Sequence, residues 1–144
     1  MWLMALPLSP SLNLTMRLHH FELSKLKKAW WWQIQSEANR LRIPRAKWKR
    51  NLTVTRFSKG TLDYDDFVGG CKNVIIDLLR PPKIQTGVYR NGSRKGQPWR
   101  KEWLGTGLIM DDSPTWLTVT YLQAPCPKGQ EPRTEVLIEE DPSI

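Results

Sequence analysis

Lys47-Trp-Lys-Arg-Asn-Leu-Thr-Val-Thr-Arg-Phe57, followed through Ser58-Lys-Gly60 by Thr61-Leu-Asp-Tyr-Asp-Asp66 and then by Phe67 to Leu79, decides how this chain folds. In the first run Leu52 and Val54 alternate with Asn51, Thr53 and Thr55. Successive side chains of an extended backbone point to opposite faces, so the run reads as a strand with one face buried. In the last run Cys71, Val74, Ile75 and Leu78 recur at three- and four-residue steps, the spacing of an amphipathic helix, and Pro81-Pro82 ends it. A strand therefore feeds a helix through an acidic turn.

Outward from that unit, Trp2 to Leu6 reads as a short strand, and the prolines and serines of Pro7 to Asn13 exclude helix there. From Glu22 to Leu41 the apolar residues Leu23, Leu26, Trp30, Ile34, Ala38 and Leu41 form a helical stripe, with Lys25, Lys27, Lys28 and Arg40 mostly on the remaining surface. Residues 83–106 are polar, basic and glycine-rich, with Asn91-Gly92 as a hairpin signal, and read as a hairpin or mobile loop. Gly107 to Met110 reads as a short buried strand ending in Asp111-Asp112-Ser-Pro114, with further strands at Trp116 to Leu122 and Glu135 to Glu139. The order predicts a single α+β domain: one mixed sheet with two main helices packed on it.

Composition agrees with that size. A chain of 144 residues, 40% hydrophobic and 25% charged, can bury one core. Its net charge of +8 is unevenly spread: residues 1–60 hold twelve Lys/Arg against two acids, and residues 113–144 hold two against five. So basic an N-terminal half attracts polyanions, because each phosphate it neutralises releases counterions. Arg45, Lys47, Lys49 and Arg50 form one candidate DNA-binding group, and Arg94, Lys95, Arg100 and Lys101, interleaved with Trp99 and Trp103, form another. Cys71 and Cys126 form no CxxC pair, which argues against a zinc site or a disulfide scaffold. The opening MWLMALP lacks the basic flank and cleavage site of a signal peptide, and no run approaches a membrane span, so a cytoplasmic protein is expected.

Two acidic clusters stand out in this basic chain. Asp63 and Asp65 lie two apart, sharing one face if the segment is extended, and Asp112 ends a different predicted strand. Carboxylates gathered from separate segments repel unless a cation neutralises them, and hard oxygen ligands suit Mg²⁺ or Mn²⁺. Such a site can activate water in a nuclease. Taken singly, each cluster reads more simply as a helix cap or a turn. Lys72, about two helical turns beyond Asp65, can share the face that starts at the acids and hold a phosphate. Asp77 falls elsewhere on the helix and reads as structural.

Leu62-Asp-Tyr-Asp-Asp-Phe67, Gly69-Gly-Cys-Lys72, Ile76-Asp-Leu-Leu79 and Gly107-Leu-Ile-Met-Asp-Asp-Ser-Pro114 resemble the RusA family of Holliday junction resolvases, especially its phage and prophage branch. The proline-containing Leu6 to Asn13 resembles that family's N-terminal loop. The resemblance implies a homodimeric, Mg²⁺-dependent endodeoxyribonuclease that resolves four-way junctions by paired nicks in a bacterial cell. It implies metal ligands at Asp63, Asp65 and Asp112 and an essential lysine at Lys72. The chain departs from the family at Asp66, commonly Asn, at the position of Lys72, and in the insertion 83–106.

Two other functions fit the same residues. One is the same chemistry on flaps or forks. The other is a non-catalytic DNA- or RNA-binding protein whose acids are caps and turns. Trp30-Trp31-Trp32 reads as one core residue with a neighbour in a dimer interface, in preference to a base-stacking platform.

Overall fold

The computed structural model describes residues 1–141. Lys49–Ser58 forms the long strand β2, in which every second residue from Arg50 onward is buried. It lies beside three others in a mixed sheet of order β1-β6-β2-β5, where β1 is Trp2–Leu6, β5 is Leu117–Pro125 and β6 is Arg133–Asp141. β6 runs antiparallel to β1 and β2, while β2 and β5 are parallel. Register follows apolar rows across the sheet: Met4 lies opposite Val136, Val136 opposite Val54, and Val54 opposite Tyr121. A slip of one residue would turn each row to the wrong face.

The parallel pair needs a crossover. It is supplied by α3 (Tyr64–Cys71), a five-residue π-helical turn (Lys72–Ile76) and α4 (Asp77–Leu79), which run on as one helical rod. That rod and the long helix α2 (His20–Leu41) cover one face of the sheet, and Trp30, Ile34, Ala38, Phe67, Val74 and Ile75 meet Met4, Leu52, Val54, Val136 and Ile138 in one core. The α+β domain is thus two layers, sheet and helices. No helix among the described residues is long and apolar enough to cross a membrane.

Two local expectations change here. Helix does form before Asn13: α1 (Leu12–Arg17) starts where the Ser11 hydroxyl accepts the Leu14 N–H, so the serine excludes helix only up to its own position and then caps it. The glycine pair of α3 explains the contact beside it, since a Cβ on Gly70 would collide with the Pro10 carbonyl. Gly107 to Met110 is buried as far as Ile109 but is not a strand. The N–H groups of Thr106, Gly107 and Ile109 bond to the carbonyls of Leu78, Arg80 and Leu79. The end of α4 needs donors, and this segment's backbone is spent supplying them.

Residues 83–103 form an antiparallel hairpin, β3 (Lys83–Val88) and β4 (Pro98–Trp103), which is a separate two-stranded sheet. Asn91-Gly92 is not a two-residue turn. The loop spans Tyr89 to Gln97, which bond to each other, and Gly92 and Gly96 take positive φ within it.

Candidate functional site

The acidic turn begins the rod. Asp63 is the N-cap residue of α3, with no side-chain capping bond, and Asp65 and Asp66 lie in the first turn. Helix starts at Tyr64, earlier than Phe67, so Asp63 and Asp65 do not alternate on an extended segment. All three residues lie at the N-terminal, positive end of the helix dipole, where acidic side chains are favoured. Asp66 is already engaged, since its Oδ1 accepts the Asn13 N–H at 2.8 Å and ties α1 to α3. Asp63 and Asp65 are exposed.

Lys72 is exposed at the start of the π-helical turn. In a regular α-helix Asp77, five residues on, would point about 140° away from it. Here the Asp77 N–H bonds to the Lys72 carbonyl, the i to i+5 bond of a π turn, which takes more residues per turn and brings Asp77 round towards Lys72. Lys72, Asp77 and Asp112 together line a cavity of about 290 Å³, floored by Leu117, Val119 and Tyr121 of β5. Asp77 is the site residue that the helical period misplaced. A lysine and an aspartate five apart would signal it only to a reader who already knew of the π turn.

Asp112 sits in the loop before β5, exposed, and does not end a strand. Its Oδ2 lies 3.9 Å from Arg80, whose other nitrogen is 3.6 Å from Asp77. Lys27 of α2 also reaches Asp77, at 3.7 Å. The capping segment 106–109 delivers Asp111 and Asp112 to this end of the rod. Asp63 and Asp65 precede Lys72 on the same rod by nine and seven residues, about 10–14 Å at the rise of a helix. Asp63 and Asp65 do not line the cavity that Lys72, Asp77 and Asp112 share. Among the described residues no group of three or more His, Cys, Asp or Glu side chains is placed to hold a metal ion. The donor chemistry suits Mg²⁺, and Asp63, Asp65 and Asp112 are the side chains that would hold it.

Of the basic candidates, Arg45 and Lys47 are exposed and Lys49 is half-buried. Arg50 is a correction: it is fully buried, donating to the Leu108 carbonyl at 2.8 Å and to Glu140 at 3.0 Å, with its guanidinium 5.1 Å from the Trp2 ring centre. It alternates onto the core face with Leu52 and Val54, so it is not available to phosphate. Arg94, Lys95, Arg100 and Lys101 are exposed on the hairpin, where Arg100 pairs with Glu102 at 2.7 Å. Trp30 is core, Trp31 is half-buried with its indole N–H on the Gly105 carbonyl, and Trp32 is exposed. No family model, curated protein or solved structure matches the chain.

Proposed function

We propose that this protein is a Mg²⁺-dependent endonuclease of branched DNA, acting as a homodimer on four-way junctions and related branches. The observation that carries the reading is the cleft where the π turn sets Asp77 beside Lys72 and opposite Asp112, in a chain of net charge +8. A lysine and two carboxylates in a half-open cleft can hold a phosphate and a polar reactant together. The four sequence blocks that resemble the RusA family agree, since they supply these residues. Asp63 and Asp65 begin the same rod and, with Asp112, would hold the Mg²⁺, which would activate water there.

One observation favours a second reading, a non-catalytic nucleic-acid-binding protein: Arg80 and Lys27 already offset the charge of Asp77 and Asp112. A single assay separates the two. A labelled four-way junction, a flap and a linear duplex are incubated with the protein in Mg²⁺ and in EDTA. Nicks that need Mg²⁺, favour the branched substrates and fall about 100-fold or more in Asp112→Asn and Lys72→Ala support the nuclease. Binding without nicks would establish the second reading.

A further inference from the structure

The hairpin β3–β4 is built differently from the rest of the molecule. Its strands bond only to each other, and nearly every residue on both is exposed. A two-stranded ribbon without a packed face is marginal in water. Residues 83–103 carry six Lys/Arg against the single acid Glu102, so the surface that complements it is a polyanion.

The register sorts the ribbon into two unlike faces. Lys83, Gln85 and Gly87 lie opposite Trp103, Lys101 and Trp99, so these six share one face, while Ile84, Thr86 and Val88 share the other with Glu102, Arg100 and Pro98. On the first face Trp99 lies over Gly87, where any side chain would collide with its indole. Trp103 is flanked by the ammonium groups of Lys83 and Lys101, 5.2 and 4.8 Å from its ring centre. Residues two apart on a strand are about 7 Å apart, so aromatic, cation and aromatic follow in a line about 13 Å long. Rings of that kind stack on bases only where the bases are unpaired, and the interleaved cations neutralise the backbone.

That face also leads somewhere. Trp103, with Asp77 and Arg80, lines a cavity of about 500 Å³ that reaches Asp111, and Asp77 lines in turn the cavity that holds Lys72 and Asp112. We infer that the Trp99–Lys101–Trp103 face is a platform for an unpaired DNA strand, which it directs into the Lys72–Asp112 cleft. The preferred substrate is then a branch carrying a single-stranded arm, a flap or fork; this last step rests on the nuclease reading, whereas the platform does not.

The test reads binding without cleavage. In EDTA, the affinity of the whole protein is measured by anisotropy for one duplex in two forms, blunt or carrying an oligothymidine arm. The wild type is expected to prefer the armed form about tenfold or more, Trp99→Ala to reduce that preference to within about twofold, and Trp99→Phe to keep most of it. Thr86→Ala, on the opposite face, controls for disturbance of the ribbon and is expected to keep the wild-type preference. No preference in the wild type, or one that survives Trp99→Ala, overturns the inference. So does a shift from dimer to monomer in Trp99→Ala by sedimentation, which would give the face to a second copy of the chain. Mg²⁺-dependent nicking is scored separately. Its absence beside a Trp99-dependent preference sinks the nuclease reading alone, and its presence beside an absent preference sinks the platform alone.

Discussion

Arg50 is accommodated away from solvent because its guanidinium donates to the Leu108 carbonyl and to Glu140 while the Trp2 ring covers it. Its Nε has no partner, so the site is held by two bonds rather than saturated. Arg50→Ala would orphan the Leu108 carbonyl and open a cavity between the sheet and the 106–109 segment. Glu140 is 39% exposed and can hydrate once freed, which places the expected loss near the lower end for a broken buried pair, about 3 kcal/mol. A urea midpoint unchanged within error would show that the core does not depend on this charge. Cys71 is buried as completely, its thiol facing the Ser9 hydroxyl, and burial pushes it up from the ordinary 9.0 to about 11; burial likewise pushes Tyr121 up to about 12. Both groups hold their protons more tightly folded than unfolded. The Cys71 share is therefore whole below pH 9 and lost as pH rises towards 11, and the Tyr121 share is whole below pH 10 and lost towards 12. Denaturation midpoints should be level up to about pH 9 and fall above it. A thiol reagent at pH 8 should find Cys126 quickly and Cys71 only after unfolding; two fast thiols would contradict this burial.

Among the elements, α2 ends in a way its sequence does not advertise. Arg42 takes the left-handed conformation at φ 55°, its N–H reaching Asn39 while the Ile43 N–H reaches back to Ala38, and Ile43 and Ala38 are both buried. This is the Schellman closure, with an arginine where glycine is usual. The conformation costs an L-residue about 1–2 kcal/mol, part of which glycine returns as unfolded-chain entropy. Arg42→Gly should therefore stabilise the fold by about 0.5–1 kcal/mol, seen as a higher melting temperature. A lower one would mean that the Arg42 side chain makes a compensating contact. The π turn is the other element with a consequence, because it alone brings Asp77 into the cleft with Lys72.

At the scale of the molecule, the basic surface and the proposed homodimer each make a prediction. With Arg50 in the core, the exposed N-terminal cations nearest one another in sequence are Arg45 and Lys47, with Lys49 half-buried beside them. Neutralising these three should lower the slope of log affinity against log salt by up to about 3 on branched duplex DNA. An unchanged slope would move the footprint to the hairpin. The proposed homodimer can be tested together with whether Asp63 and Asp112 act within one protomer or across two. β5 is an edge strand with Leu122 exposed, and Trp32 is exposed on α2, so apolar surface remains for a symmetric interface. If a site is completed across two protomers, mixing Asp63→Asn with Asp112→Asn chains leaves one intact site per mixed dimer. Single nicks should then return, although neither variant cuts alone. Mixed dimers that stay inactive would place the whole site within one chain.

The α+β class, the strand around Val54, the stripe of α2 and the run from Phe67 to Leu78 were legible in the sequence, because burial on one face of a regular element leaves a period of two or of three to four. The excess of cations over acids was legible too, since charge needs no structure to be counted. Tertiary structure alone decided which of those cations face water: Arg50 and Arg56 fall on the buried parity of β2, and partners from residues as distant as Leu108, Glu140 and Ser9 make that burial tolerable. It also decided that 107–110 is not a strand, because backbone groups there answer the helix end at Leu78 to Arg80. Side-chain period belongs to an element and is written locally; hydrogen-bond partners and the company of carboxylates are set by which segments the folded chain brings side by side.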